Sequence, residues 1–255
     1  PGSSSTGSRL IVAIAAPAVV SSYPDTYLRL NGYLSTLGVA AVFDVSFGAE
    51  LTVTSYVDHI RENSPKMVIA QPCPALVSYM EIYRPELLPH LAPADSPMAH
   101  TMKMIREFYP ACRNHRFAVL SPCLAKRREF DEIGIGDFNV TLASIQKHLE
   151  EKNVRLAAYP EIDFANPPAE RAVLFSIPGG LLRTAEREVP GIALRTRKIE
   201  GRHAVYPYLD RLSTSLAEGI NPLMVDCLNC EKGCNGGPGT LNGDRSPDEI
   251  GRAHV

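Results

Sequence analysis

Six cysteines are the residues whose type and spacing most clearly indicate chemistry in this 255-residue chain. Three of them form the motif Cys227-x2-Cys230-x3-Cys234, and closely spaced glycines follow it. Two others, Cys73 and Cys123, each follow a proline just after a short apolar run. So dense a group of thiols favours a metal site, because a disulfide framework is typical of smaller secreted chains.

The kind of metal site depends on how many ligands the chain can supply. A zinc site would need a second cysteine pair or added histidines, and only His203 lies near the motif. Four thiolates can instead hold a cubane iron-sulfur cluster, with Cys73 and Cys123 joining two of the three clustered cysteines. The order Cys-x2-Cys-x3-Cys is the reverse of the loop that marks radical-SAM enzymes, which argues against that class. Cys112 stands alone before a basic loop and fits a buried structural thiol.

Short apolar runs alternate with amphipathic segments along the chain. The pattern predicts strands over 10–17, 39–45, 66–70, 116–120 and 172–176, and helices over 26–37, 55–63, 99–108, 144–152 and 181–188. We therefore expect an α/β fold with a mostly parallel sheet, whose ligands gather beyond the carboxyl ends of the strands. Cys73 and Cys123 stand at such ends.

Composition excludes two classes of partner. The 26 Lys and Arg residues balance 28 Asp and Glu residues, with no basic run of the kind that neutralising phosphates requires, so a nucleic-acid partner is not expected. The longest apolar stretch, 10–20, is about half of the roughly 20 residues that a membrane span needs, and Pro17 interrupts it. We expect a cytoplasmic protein in which 1–9 is a linker or cloning remnant and 10–255 is one domain of something longer.

Three cysteine loops, at 70–76, 121–129 and 230–237, resemble in order and spacing the signature loops of iron-only (di-iron) hydrogenases. Four further segments support the likeness, which runs from about residue 10 to about residue 240: 16–19, 42–52, 83–91 and 96–97. The resemblance implies two lobes of mostly parallel twisted sheet, flanked by helices, with the cluster in the cleft between them.

The resemblance also implies a ligand set for a 4Fe-4S cubane: Cys73, Cys123, Cys230 and Cys234. Cys234 would bridge to a di-iron unit with CO, cyanide and azadithiolate ligands, which completes the H-cluster; Cys227 has no assigned role. The implied reactants are H2 and protons. The implied partners are maturation proteins and an electron-transfer or signalling domain.

Lys126 resembles the family lysine that pairs with a cyanide, since an ammonium beside an anion gives a charge-assisted hydrogen bond. Its alternative role is a solvated member of the basic run 126–128. Six further residues resemble those that line the di-iron pocket, with ordinary loop packing as the alternative: Ala16, Pro17, Ser96, Pro97, Met98 and Pro122.

The likeness fails along the route by which protons reach the cluster. Pro72 stands where family catalysts have a cysteine that donates a proton to the bridgehead amine, and proline has no proton to give. Ala92 replaces a serine of the relay, and Tyr56 and His59 stand near its two glutamates. General acid-base transfer contributes about 10²–10⁴ in rate, so we expect slow turnover with H2 binding retained.

Two further departures lie near the cluster, where Ser121 and Leu228 replace methionines and should change its reduction potential. Departures of this kind resemble the branch regarded as hydrogen sensors. Glu129 could serve a second proton path; its alternative role is an exposed ion-pair partner of Arg127 or Arg128.

Three functions remain open on these grounds. The first is a domain that senses H2 or redox state, or a slow hydrogenase. The second is an efficient hydrogenase with a proton path through Cys227, Glu129 or His100. The third is a hydrogenase-like iron-sulfur assembly factor without the di-iron unit.

Overall fold

The computed structural model describes residues 10–70 and 72–252, so the predicted linker at 1–9 lies outside the described residues. This part of the chain contains eight strands: β1 (Ile11–Ala15), β2 (Val39–Asp44), β3 (Val68–Ile69), β4 (Arg116–Ser121), β5 (Phe138–Thr141), β6 (Thr196–Glu200), β7 (Met224–Leu228) and β8 (Glu231–Cys234). It also contains ten α-helices: α1 (Ala18–Ser22), α2 (Tyr27–Thr36), α3 (Val45–Asn63), α4 (Pro74–Tyr83), α5 (Pro97–Phe108), α6 (Lys126–Ile133), α7 (Leu142–Glu151), α8 (Gly180–Glu188), α9 (Arg202–Ala217) and α10 (Pro247–Arg252). None of the described helices has both the length and the apolar composition needed to cross a membrane.

Two parallel sheets organise these elements. The first sheet has the order β2-β1-β4-β5, and the second sheet has the order β3-β7-β6. All neighbouring strands in both sheets run parallel, which confirms the predicted α/β fold. Along β1, Val12 and Ile14 face one helical layer while Ala13 and Ala15 face the other, as the two-residue repeat of a strand requires.

Each sheet is buried between helices on both faces. The first sheet packs against α1, α2 and α7 on one face and against α5 and α6 on the other. The second sheet packs against α3 and α8 on one face and against α4 and α9 on the other. The strands are therefore covered on both sides, so the loops at their ends remain as the places where a site can form.

The contact between α3 and α5 joins the two halves. A Cβ at Gly48 would lie 2.2 Å from the Thr101 hydroxyl and 2.3 Å from the Pro97 carbonyl oxygen, so only glycine permits this approach. Helix α3 also begins earlier than predicted, at Val45, because the Asp44 carboxylate caps it by accepting a 2.8 Å hydrogen bond from the Ser46 amide.

The strand predicted over 172–176 is wrong, since the chain forms a 3-10 helix at Ala172–Leu174. The Glu50 carboxylate accepts hydrogen bonds from the amides of Glu170, Arg171 and Ala172 at 2.7, 2.7 and 3.3 Å. A single oxygen can accept from three consecutive amides only when the backbone turns. A partly buried carboxylate acceptor thus overrides the local preference of an apolar run for a strand.

Candidate metal centre and adjoining pocket

Four cysteines lie at or beyond the carboxyl ends of strands in both sheets. Cys123 follows β4 in the first sheet, while Cys73 follows β3 and Cys230 follows β7 in the second. Cys234 is the last residue of β8. Parallel strands present their carboxyl ends at one edge, so these loops can meet in a single site.

The four thiols interact electrostatically within one shielded site. Burial is the main cause that raises the pKa of Cys234, and the neighbouring Cys73, Cys123 and Cys230 thiolates raise it further. Burial, followed by the Cys73 and Cys123 thiolates, raises the pKa of Cys230 to about 11. The raised pKa values keep Cys230 and Cys234 as neutral thiols at neutral pH, and a bound metal would displace their protons and supply the positive charge that the thiolates need.

The spacing of these ligands separates a cluster from a single ion. In the described ranges, 10–70 and 72–252, no three His, Cys, Asp or Glu side chains are close enough to share one metal ion. Sulfur atoms around a tetrahedral zinc lie only about 3.8 Å apart, given Zn–S bonds of about 2.3 Å. A cubane places each thiolate on a different iron and so accepts wider spacing. The donor set fits a four-iron cluster better than the zinc alternative.

Local hydrogen bonds shape the Cys123 loop. Burial and then the Cys73 thiolate raise the pKa of Cys123, while hydrogen bonds from the Lys126 and Ala125 amides oppose that rise. The buried Ser121 hydroxyl accepts from the Cys123 amide at 3.0 Å and donates to the Cys123 carbonyl at 3.1 Å. Ser121 therefore holds the loop in the turn that presents the sulfur.

The Cys123 and Cys234 loops touch through their backbones. The Gly239 amide donates to the Pro122 carbonyl at 2.9 Å. A Cβ at Gly237 would lie 2.5 Å from the same oxygen, so a larger residue would push the two loops apart. The loop after β4 and the loop after β8 are thus held together by the chain itself.

An asparagine that the sequence analysis missed contacts Cys230. The side chain of Asn229 hydrogen-bonds to the Cys230 thiol and opposes the rise in its pKa. The Tyr206 hydroxyl donates to Asn229 Oδ1 at 2.6 Å, and the Tyr206 ring lies 4.3 Å from that of Tyr79. The Tyr79 hydroxyl donates instead to Asp210 at 2.5 Å. Tyr206 is on α9, so no local spacing could have linked it to the motif.

A pocket lined mainly by apolar side chains adjoins Cys234. It brings together predicted residues from separate loops with others that were not predicted: Ala16, Pro17, Val45, Ala49, Pro72, Pro97, Met98, Pro122, Lys126, Phe175, Ser176 and Cys234. Val45 and Ala49 were missed because α3 starts earlier than its periodicity indicated. Phe175 and Ser176 were missed because their segment was expected to be a strand.

Lys126 is the cation of this pocket and is only 6% exposed, so the alternative of a solvated lysine is wrong. Its Nζ donates to one oxygen of Glu129, and the other oxygen accepts from the Ser96 hydroxyl. Arg127 and Arg128 pair with other carboxylates, so the alternative partners proposed for Glu129 are also wrong.

Glu129 also faces a second cavity, of about 210 Å³, on the outer side of this network. Ser96 lines the same cavity, together with Asp95, Arg128 and Glu132. Glu129 and Ser96 therefore stand between the Lys126 ammonium and a cavity lined by charged groups.

Other candidate residues lie outside the lining of the inner pocket. Cys227 is fully buried in β7, with its thiol 3.8 Å from the Ala70 carbonyl, and Leu228 ends the same strand. Cys112 packs against the core of the first sheet. The remaining ones are placed as follows: His100 in a separate groove, Tyr56 and Ala92 in the core beside the second sheet, and His59 half-buried on α3.

The arrangement of four cysteines, in three loops, beside a lysine-bearing pocket has a counterpart among known sequences. Residues 9–238 match the family model described as the C-terminal domain of the iron-only hydrogenase large subunit. The chain belongs to this family. The match confirms the resemblance drawn from the three cysteine loops.

The chain spans less than half the length of the two hydrogenases that it matches in sequence. It is 27% identical to iron hydrogenase 1 of Clostridium pasteurianum, over 72% of this chain and 37% of that protein. It is 26% identical to the periplasmic iron hydrogenase large subunit of Nitratidesulfovibrio vulgaris, over 69% of this chain and 49% of that protein. It is also 24% identical to the cytosolic Fe-S cluster assembly factor NAR1 of Yarrowia lipolytica, over 51% of this chain and 30% of that protein.

Solved structures agree on the fold. An FeFe-hydrogenase of Chlamydomonas reinhardtii superposes with a TM-score of 0.76 at 17% identity, covering 100% of this chain and 86% of that chain. A structure of oxygen-inactivated FeFe-hydrogenase gives a TM-score of 0.75 at 18% identity and the same coverage. The fold expected for an iron-only hydrogenase domain is thereby confirmed.

Proposed function

We propose that this domain holds an H-cluster and responds to H2 with slow turnover. The cubane would be held by Cys73, Cys123, Cys230 and Cys234, and the di-iron unit would occupy the adjoining pocket, bridged through Cys234. One observation carries the proposal: four electrostatically coupled thiols meet beside a largely apolar pocket that contains a buried ammonium group. When bound, the di-iron unit would supply the binding and cleavage of H2.

The residues of the pocket divide into two kinds. Apolar side chains and backbone from Ala16, Pro17, Pro97, Met98 and Pro122 exclude water from the bound group. The Lys126 ammonium supplies the positive charge that an anionic cyanide requires, and it acts strongly because the surroundings are poorly hydrated. Ser121 and Leu228 would set the polarity around the cubane and hence its potential.

Proton supply explains why turnover would be slow. Pro72 lines the pocket without a proton to donate, and Ala92 carries no polar side chain. The remaining path runs from Lys126 Nζ to the Glu129 carboxylate and the Ser96 hydroxyl, which open to the outer cavity. Because Glu129 is occupied by an ion pair, a proton can pass only when that pair breaks.

Slow turnover with retained H2 binding suits a sensor rather than a producer of H2. We propose that its partner is an electron-transfer or signalling domain and that maturation proteins supply the di-iron unit. An efficient catalyst would need a fast proton path. Glu129 is held in an ion pair with Lys126, and Cys227 and His100 are absent from the lining of the pocket that adjoins Cys234.

The test is anaerobic reconstitution of the cubane, addition of a synthetic di-iron cofactor, and infrared spectra under argon and then H2. We expect CO and cyanide bands that shift under H2, with slow turnover in the same sample. The Pro72→Cys variant should turn over faster because it restores a proton donor. Fast turnover by the wild type would overturn the broken relay, and absence of bands would overturn the H-cluster.

A second candidate is an assembly factor that holds only the cubane. It is favoured by the similarity to NAR1 and by 28% identity, over 42% of this chain, to the nuclear prelamin A recognition factor of Mus musculus. The position of Lys126 argues against it, because an ammonium that lines the pocket as well as pairing with Glu129 suits an anionic ligand. Iron content without uptake of the di-iron cofactor would favour this candidate.

A further inference from the structure

Ser176 places a buried hydroxyl group in the pocket beside Cys234. The residue is 3% exposed, and its Oγ forms no hydrogen bond with any part of the chain that the structure describes. The rest of the pocket lining is apolar except for Lys126 and Cys234. A buried hydroxyl without a partner destabilises a folded chain, so its presence calls for an acceptor that the protein does not itself supply.

The position of this hydroxyl relative to Cys234 is fixed by the backbone. The Ser176 carbonyl accepts a 3.2 Å hydrogen bond from the amide of Asn235, the residue after Cys234. Gly233 has a φ of +64°, and a Cβ there would lie 2.5 Å from the same carbonyl oxygen. The Cys234 loop thus packs directly on Ser176, so anything bound through the Cys234 sulfur lies close to this residue.

The chemistry of the site selects the acceptor. Ser176 can donate one proton and lies in a pocket whose one cation is Lys126 among the described lining residues. A ligand with a negatively charged, hydrogen-bond-accepting end satisfies both groups at once. Of the groups on the proposed di-iron unit, cyanide has this character, since carbon monoxide is a weaker acceptor.

We propose that Ser176 binds the di-iron unit by donating a hydrogen bond to a cyanide nitrogen, as a second donor in addition to Lys126. This assignment rests on the proposed function of the pocket. It gives Ser176 two states: a hydroxyl without a partner in the cofactor-free chain, and a bonded hydroxyl in the loaded chain. A purely structural serine would not change partner on loading.

The test compares Ser176→Ala with Ser55→Ala in cofactor-free and cofactor-loaded chains. Ser55 is a matched control because its hydroxyl bonds to the Leu51 carbonyl within α3 at 2.9 Å. In the cofactor-free chain, Ser176→Ala should leave the melting temperature unchanged or raise it. In the loaded chain, Ser176→Ala should shift a cyanide infrared band by more than its width, whereas Ser55→Ala should leave the spectrum unchanged.

The outcomes separate this inference from the proposed function. If the loaded wild type shows cyanide bands and Ser176→Ala leaves them at the same frequencies, the role of Ser176 is overturned while the H-cluster assignment stands. A shift confined to the CO bands would also overturn it, as would a clear drop in the melting temperature of the cofactor-free Ser176→Ala chain. Wild-type protein without any such bands would overturn both.

Discussion

The two sheets share one architecture but contribute different chemistry. The second sheet and the short strand β8 that follows it in the chain supply three of the four cysteines, at Cys73, Cys230 and Cys234. The first sheet supplies Cys123 and then, within the same loop and helix, the buried Lys126. Under the proposed ligand assignment, iron binding would depend mainly on the second sheet and β8, and recognition of an anionic group would depend on the first sheet. Substitutions in the two regions should have separable effects.

The largest effect should come from removing Cys234, the thiol shared by the proposed cluster and the pocket. We expect Cys234→Ala to abolish retention of the di-iron unit, because its bridging ligand is gone. Cys112→Ala is the control, since that thiol packs against the first sheet away from the pocket. Iron content and infrared bands measure retention, and equal retention by both variants would contradict the ligand assignment.

Removing the Lys126 ammonium should leave binding of the cubane intact and weaken binding of the di-iron unit in the pocket. In Lys126→Met, a carboxylate that is 16% exposed loses its partner, and breaking a buried pair costs about 3–5 kcal/mol. We expect the lower end of this range, because Glu129 keeps its bond from Ser96. The control is Arg127→Met, whose pair is more than half exposed and should cost under about 1 kcal/mol.

Denaturant unfolding of the cofactor-free chain measures the Lys126 effect, and iron content with infrared bands measures loading. The expected Lys126→Met protein binds four irons but takes up little di-iron cofactor. Loss of the cubane in this variant would show that the two sheets do not divide the chemistry as described.

The second sheet also buries an acid inside a strand. Asp226 in β7 is 3% exposed, and burial raises its pKa from 3.8 to about 6, although the Leu182 amide donates to its carboxylate at 3.3 Å. Above pH 6 the folded chain carries a buried charge, which costs about 3 kcal/mol relative to the unfolded chain. Since the folded state binds the proton more tightly, stability from this group falls as pH rises from about 4 to about 6.

Asp226→Asn should remove that dependence, because the amide oxygen can still accept from Leu182 without a charge. We expect the variant to be more stable than the wild type at pH 7–8, by up to about 3 kcal/mol, and similar at pH 4. The exposed Asp58→Asn is the control. A difference between Asp226→Asn and the wild type that does not change from pH 4 to pH 8 would contradict the prediction.

The smallest expected effect concerns the potential of the cubane. Tyr206→Phe removes the hydroxyl that holds the Asn229 side chain, so the hydrogen bond from Asn229 to the Cys230 sulfur weakens. The reduced cluster is the more negative state, so it loses more stabilisation than the oxidised cluster does. We expect the equilibrium constant for reduction of the cluster to fall at most about tenfold, which lowers its reduction potential by about 59 mV for one electron. Tyr79→Phe, in the same stack but bonded to Asp210, should leave the potential unchanged in an EPR-monitored titration.

Sequence patterns predicted the parts whose signals are local. The strands β1, β2 and β4 and the helices α2, α5 and α7 follow clear apolar periodicity, and the cysteine motif carries its own spacing. The strand β6 was missed because its edge position leaves Thr196–Glu200 largely polar. The strand β7 was missed because Asp226 and Cys227 interrupt an otherwise apolar run, and α9 because Pro207 lies within it.

The pocket was predicted only where a residue adjoins a recognised loop. Ser176 and Asn229 escaped notice because their roles depend on neighbours from distant elements. Ser176 matters through its lack of a partner among the described residues, which no sequence pattern records. Asn229 matters through Tyr206, which reaches it from α9.

The backbone contact between the Cys123 and Cys234 loops has a consequence for how the protein matures. Gly239 and Gly237 pack on Pro122 through the chain's own backbone, so the loops that carry the proposed ligands have contacts that do not depend on iron. Less of the metal-binding free energy would then be consumed in ordering the ligands than in a zinc finger. A chelator should therefore remove iron and leave a folded chain that can bind iron again. Such a chain would keep its core protected from proteases before the cofactor is inserted.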